Sequence, residues 1–350
     1  MASPDTVRLS IAAAITLGFK RGKFFRNARL GCINLLMEYD HGCKANCLYC
    51  GQAREVLNDS ECKSLIRVQW PSYPLSDVIS ATKEAAMTDS FIQRVCISSL
   101  TSPGAPEDLL KIVKEVKTGT GLKVSTLITP TAFKKSDLKA IKDAGAENIT
   151  IAVDTATPEL FTKLRGKGAR GPHKWDRYIR GIKEAVDVAG NGHNAVGVHL
   201  IIGLGETELE SVRFIQTCYD IGSRVHLFSF FPEKGTVMEK HSQPPMEQYR
   251  RIQLARYLID RGLAQFDNMK FKSGRLVDVG LPSRETLAIV RQGTPFMTTG
   301  CSGCNRPFAN ETPTQAMQGL FRNYPFTPDP KDIQIIQDQL NINISKRKSL

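Results

Sequence analysis

No stretch of this 350-residue chain approaches the roughly 18 unbroken apolar residues that a membrane helix needs, so no membrane span or membrane partner is expected. Internal repeats beyond an α/β alternation and long low-complexity tracts are also missing. At 41% hydrophobic and 23% charged residues, the chain reads as a globular protein with one barrel-sized domain and an appendage. A secretory signal is not expected either. The apolar stretch 11–19 has Arg8 and Asp5 before it, whereas Lys20, Arg21, Lys23 and Arg26 follow, which puts the positive charge on the wrong side. Residues 1–31 are read instead as an amphipathic N-terminal helix packed on the domain, in a cytoplasmic protein. Nine cysteines in a reducing compartment are metal ligands and buried thiols before they are disulfides.

Three of those cysteines fall within eight residues, Cys43-Lys44-Ala45-Asn46-Cys47-Leu48-Tyr49-Cys50. Structural zinc favours paired C-x2-C knuckles or Cys/His pairs, and electron-transfer ferredoxins supply four thiolates per cluster. Three soft thiolates on one loop suit a four-iron cluster with one iron left open to a small molecule. Tyr49, just before the last cysteine, is an aromatic surface on which a purine could lie.

Beyond this loop, short β-branched runs alternate with amphipathic stretches, the pattern of repeated βα units around a parallel sheet. The spacing predicts strands at 33–40, 94–100, 123–128, 148–153, 195–202 and 224–230, with helices at 75–87, 107–117, 135–144, 175–189 and 208–221. The fold class is therefore α/β, a partial (β/α)6 TIM-type barrel over residues 32–263. A C-terminal extension, 264–350, carries further cysteines and an aromatic, proline-rich strap at 321–330 that is expected to lie on the barrel. In such barrels reactive groups gather at the C-terminal strand ends. The cysteine loop, Ser98-Ser99-Leu100-Thr101, Asp154-Thr155-Ala156-Thr157 and Gly203-Leu204-Gly205-Glu206-Thr207 all fall there.

The triplet C-x3-C-x-aromatic-C resembles the signature of the radical S-adenosylmethionine superfamily. That resemblance implies a 4Fe-4S cluster on Cys43, Cys47 and Cys50, S-adenosylmethionine chelating its open iron, and Tyr49 against adenine. It also implies an external electron donor and hydrogen abstraction from an unactivated carbon. The string from His199 to Thr207 is similar to the fifth-strand motif of biotin and lipoyl synthases, which implies cofactor contacts from Gly203, Gly205 and Glu206. Alone, the same string is a strand-to-helix turn. Asp154 is read as a ribose partner or as a helix N-cap before Pro158, and Ser98 as a cofactor contact at its strand end. Arg165 is either a fork for the cofactor carboxylate or a solvated surface arginine. Ala152 stands where the biotin synthases carry a second polar contact.

Cys301-Ser302-Gly303-Cys304 adds a second pair, open to reading as half of a second iron-sulfur cluster, a zinc knuckle or a redox dithiol. Cys32, Cys62, Cys96 and Cys218 remain as partners. Cys218 suits a buried hydrophobe, and Cys96 would face the barrel interior. The segment from Cys96 resembles the second strand of biotin synthases, including their first auxiliary-cluster cysteine. Thr126, Leu127 and Gly197 stand where that family needs more cysteines, so its two-iron cluster is not expected. The C-x4-C-x5-C triplet of ordinary lipoyl synthases is absent as well.

The whole chain resembles the two-protein, biotin-synthase-like lipoyl synthases. The resemblance rests on Arg29-Leu30-Gly31-Cys32-Ile33-Asn34-Leu35-Leu36, on Ile66-Arg67-Val68-Gln69-Trp70-Pro71 and on Cys301-x2-Cys304-Asn305-Arg306-Pro307-Phe308. It implies Cys32, Cys301 and Cys304 as ligands of a second, four-iron cluster with its fourth ligand open. It further implies sulfur insertion at C6 or C8 of an octanoyl chain on an acidic carrier protein, together with a second radical subunit. The formal net charge of +12 calls for an acidic partner, nucleic acid or such a carrier; under this resemblance the carrier is expected and nucleic acid is not. The tail Lys346, Arg347 and Lys348 is too short to choose. The rival readings are another radical enzyme, such as a biotin-synthase-like protein or a tRNA methylthiolase, and a non-catalytic iron-sulfur electron-transfer protein.

Overall fold

Eight short strands share one sheet. In this computed structural model, which describes residues 2–56, 65, 68–190, 192–306 and 313–340, the strands are β1 (Thr6–Leu9), β2 (Cys32–Met37), β3 (Ser72–Pro74), β4 (Arg94–Ser98), β5 (Lys123–Ile128), β6 (Ala146–Asp154), β7 (Val196–Ile202) and β8 (Arg224–Ser229). Their order is β3-β1-β2-β4-β5-β6-β7-β8. The six strands β2, β4, β5, β6, β7 and β8 pair in parallel, and β1 pairs antiparallel with both β2 and β3. The sheet ends at β3 and β8, so this is an open α/β barrel of six parallel strands, as the sequence pattern predicts. Cys62, Ile66, Arg67, Pro307, Phe308, Lys346, Arg347 and Lys348 lie outside the described residues.

Register sorts the two faces. Ile33, Val95 and Val124 are paired neighbours and join the apolar core, while the next row, Asn34, Cys96, Ser125 and Asn148, is polar. Side chains alternate along a strand, so the apolar rows meet the helices and the polar rows line the barrel interior. The covering helices are α1 (Ile11–Thr16), α2 (Leu75–Thr88), α3 (Ala105–Thr120), α4 (Lys135–Asp143), α5 (Pro158–Leu164), α6 (Trp175–Ala189), α7 (Glu208–Ile221) and α8 (Met246–Asp260). Helix α7 begins at a capping box in which the Thr207 hydroxyl accepts from Glu210 N and the Glu210 carboxylate accepts from Thr207 N.

The N-terminal segment departs from the expected long helix. Residues 6–9 form β1, and α1 has only six residues. Strands of three or four residues carry too little alternation to be read from sequence, and Pro74 at the end of β3 masks it further.

The C-terminal extension contains β9 (Lys270–Lys272), β10 (Arg275–Asp278), α9 (Ser283–Arg291), α10 (Pro313–Met317) and α11 (Pro330–Leu340). Leu276, Val290, Phe296, Phe321, Tyr324 and Ile336 belong to the same apolar core as the barrel, so the extension has no separate core. Buried polar contacts fix it in place. Glu208 holds Arg251 at 2.5 and 2.9 Å and accepts from Leu276 N at 2.9 Å, which ties α7 to α8 and to β10. Arg250 donates to Arg322 O at 2.9 Å and to Gln339 Oε1 at 2.8 Å.

Candidate active site

The cysteine loop follows β2 and is clamped from three sides by backbone bonds. Lys44 N donates to Thr101 O (2.9 Å), Leu48 N to Leu164 O (3.0 Å) and Met238 N to Leu48 O (3.2 Å). Asn46 Nδ2 adds a bond to Ala169 O at 2.8 Å. Held this way, Cys43 and Cys47 are buried and Cys50 is half-buried, and all three line one cavity at the C-terminal ends of the strands. Burial pushes the Cys47 and Cys50 thiols up, and at Cys47 the Arg165 guanidinium opposes that push. Three thiols on one rigid loop beside an open cavity fit a four-iron cluster with one iron left for a ligand.

A buried chain of polar groups backs the loop. Tyr49 OH donates to Asp154 Oδ2 at 2.6 Å, and Arg165 Nη1 lies 3.3 Å from the same oxygen. Arg165 also donates to Val153 O (2.5 Å) and to Tyr178 OH (3.4 Å), and it lies over the rings of Phe161 and Tyr178. It is 2% exposed, so the surface-arginine reading is corrected: the sequence shows a charged residue after a helix but not the carbonyls that α5 turns it toward. The N-cap reading of Asp154 is corrected as well, because Thr157 caps α5 by accepting from Leu160 N. Asp154 sits at φ +67° and faces the cavity with Tyr49, Arg165 and Ser98.

Gly203, Gly205 and Glu206 stand apart from the cavity wall. The Glu206 carboxylate accepts from Gly203 N (2.6 Å) and Leu204 N (3.0 Å), which closes the turn after β7, and burial pushes it up to about 7. Gly203 is at φ +104°, and an added Cβ would come within 2.6 Å of Pro244. The geometry therefore gives these residues a turn-forming role, with Ile201 just before them on the wall.

Cys32, Cys301 and Cys304 come together at the other end of the barrel. The Cys32 thiol lies near Cys304, and Cys301 is within electrostatic reach of Cys304. Cys304 is pulled down to about 7 by the Cys32 thiol and by Arg306, while Cys32 is pushed up. Cys218 is fully buried in α7, as expected. Among the described residues no group of three or more His, Cys, Asp or Glu is arranged around one metal ion. Thiolates of a cluster serve different irons and need no such convergence.

The profile of the Radical SAM superfamily matches residues 37–217, just over half of the chain. The chain belongs to this superfamily. A probable GTP 3',8-cyclase of Methanocaldococcus jannaschii is 24% identical over 215 residues, covering 61% of this chain and 63% of that protein. Biotin synthase 2 of a Polaromonas species is 23% identical over 223 residues, covering 61% and 58%. The mitochondrial GTP 3',8-cyclase of Arabidopsis thaliana is 24% identical over 211 residues, covering 58% and 48%. The chain thus spans about half to just under two thirds of these relatives. The FeFe-hydrogenase maturase HydG of Carboxydothermus hydrogenoformans superposes with a TM-score of 0.51 at 14% identity, covering 72% of this chain and 56% of that one, which shows a shared fold.

Several residues of the radical SAM cavity were not singled out as site residues from the sequence. His173 places Nδ1 2.7 Å from Thr131 Oγ1 and 3.0 Å from Tyr178 OH, and burial and Arg165 hold it well below the usual histidine range. His199 faces the cavity from β7 and is likewise kept neutral, mainly by burial. Its alternate position on the strand is the signal that could have found it. Arg306 reaches the same wall from the extension and lies over Phe228.

Proposed function

We propose that this radical SAM enzyme is a sulfurtransferase acting on a protein-bound octanoyl chain at C6 or C8, as one half of a two-protein lipoyl synthase. The observation that carries the reading is the second thiol group, Cys32 with Cys301 and Cys304, built at the far end of the barrel whose mouth holds Cys43, Cys47 and Cys50. The cavity supports an alkyl substrate: Leu36, Leu100, Leu127, Ile201, Phe228 and Phe230 form much of its wall.

Cys43, Cys47 and Cys50 would hold the first four-iron cluster, and Cys32, Cys301 and Cys304 a second. When bound, the first with S-adenosylmethionine supplies the radical and the second supplies sulfur. Tyr49 offers its ring to adenine, Asp154 and Ser98 offer oxygens to the ribose side, and Arg165 holds Asp154 in place. The apolar wall aligns the alkyl chain and excludes water. The net charge of +12 favours encounter with an acidic carrier.

The test is anaerobic incubation with an octanoylated carrier, reductant and S-adenosylmethionine, with and without a partner subunit, read by mass spectrometry. Sulfur-dependent mass gain on the octanoyl group supports the reading, and no gain under either condition overturns it. The similarity to GTP 3',8-cyclases favours a second reading, radical cyclisation of a purine nucleotide. Consumption of GTP in the same assay, with the carrier untouched, would establish that instead.

A further inference from the structure

Four thiols from three parts of the chain meet inside the N-terminal end of the barrel. Cys32 opens β2, and Cys96 is the third residue of β4, its parallel neighbour. The register pairs Cys32 with Arg94 and Asn34 with Cys96, so both cysteines project from the interior face. The Cys32 thiol lies near Cys96 and near Cys304, and Cys301 is within electrostatic reach of both Cys96 and Cys304. Together the four thiols form one loose ring at this end of the barrel. All four are free thiols.

The surrounding backbone is shaped to bring the extension this close. A Cβ added to Gly31 would stand 2.4 Å from Gly303 O, so only glycine lets the turn reach β2. Asn305 latches the approach, with its Oδ1 accepting from Gly31 N at 2.9 Å and its Nδ2 donating to Arg29 O at 2.5 Å. Arg94 Nε donates to Ser302 O at 2.8 Å, and Cys304 N closes the turn on Cys301 O at 2.9 Å. Two cations face the ring. Arg306 is close to Cys32, Cys96 and Cys304, and Arg94 is close to Cys301 and Cys304. Four thiolates around an iron-sulfur core carry net negative charge, and buried guanidinium groups offset it.

We propose that Cys96 is the fourth ligand of the second centre, making a closed four-thiolate iron-sulfur site of Cys32, Cys96, Cys301 and Cys304, with Arg306 between it and the cavity. This rests on the reading that a second centre exists. Each iron of that centre has a protein thiolate, whereas the Cys43, Cys47 and Cys50 site keeps one iron open. The two ends of one barrel thus divide the work: the mouth binds an exchangeable cofactor, and the base binds a centre that S-adenosylmethionine cannot chelate.

The experiment uses the full chain with Cys43, Cys47 and Cys50 changed to alanine, reconstituted anaerobically, and measures iron, sulfide and the EPR spectrum of the reduced protein. The account predicts about four irons per chain in this background. Adding Cys96→Ala lowers iron at least about twofold and alters the remaining signal, because one iron of the four-thiolate cluster loses its ligand. Adding Cys218→Ala, a buried cysteine away from the ring, changes neither. Cys96→Ser keeps the volume and a weak ligand, so an altered EPR signal with iron retained also supports the assignment if the alanine variant fails to fold. An unchanged spectrum and iron content in both Cys96 variants overturns the fourth ligand and leaves the second centre standing. A triple variant without iron, or with zinc in its place, overturns both.

Discussion

Arg165 offers the sharpest test of how the cavity is held together. Changing it to methionine keeps much of the volume but removes the charge 3.3 Å from Asp154, the donors to the Ala152 and Val153 carbonyls, and the cation over Phe161 and Tyr178. Breaking a buried ion pair on one side costs about 3–5 kcal/mol. Asp154 keeps 14% side-chain exposure and its bond from Tyr49, so the lower end, about 3 kcal/mol, applies. A second effect is chemical. Arg165 is the charge that opposes burial at Cys47, so without it the thiolate needs a higher pH and cluster loading at neutral pH falls. Urea unfolding and iron content after reconstitution across pH 7–9 measure both. Arg165→Lys restores charge without the planar fork, so it recovers loading but not stability. Methionine variants with stability within about 0.5 kcal/mol of wild type and unchanged loading at pH 7 would refute the reasoning.

Two further predictions concern the frame. Glu208→Gln leaves Arg251 buried beside a neutral partner and weakens the bond to Leu276 N, so unfolding free energy drops by about 3 kcal/mol with the fold retained; a loss below about 1 kcal/mol in denaturant titrations would contradict it. His226 is held down to about 4 by burial and by Arg256 and Arg224. A depressed histidine contributes stability that is present above its unfolded pKa of about 6.5 and lost as pH falls toward 4, about 1.4 kcal/mol of it between pH 8 and 5.5. His226→Gln removes that slope, which the difference between variant and wild-type unfolding at the two pH values measures.

The six parallel strands and five of their helices were legible because each is long enough to show its period. Strand β6 and helix α6, with nine and fifteen residues, lie close to their expected bounds. What stayed hidden depends on contacts between distant segments. Strand β3 exists because β1 pairs with it, and Arg165 is buried because α5 turns it toward the carbonyls of β6. The cysteine loop was visible from spacing alone, and the resemblance brought Cys32, Cys301 and Cys304 to one site before the fold was known. Cys96 was visible as an inward residue resembling the first auxiliary-cluster cysteine of biotin synthases, but with no partners in the sequence; register and the Gly31–Gly303 approach bring it to Cys32. The glycine-rich turn after β7 worked the other way. Its string suggested cofactor contacts, but the Glu206 carboxylate bonds to the turn's own backbone.

The most direct measurement is 5'-deoxyadenosine formed from S-adenosylmethionine under anaerobic reduction, for wild type, for the Cys43, Cys47 and Cys50 triple alanine variant, and for Cys301→Ala. The account predicts product from wild type, none from the triple variant, and continued product from Cys301→Ala with no sulfur gained by the octanoyl carrier. A triple variant that still forms 5'-deoxyadenosine, or a fully loaded wild type that forms none, would contradict it.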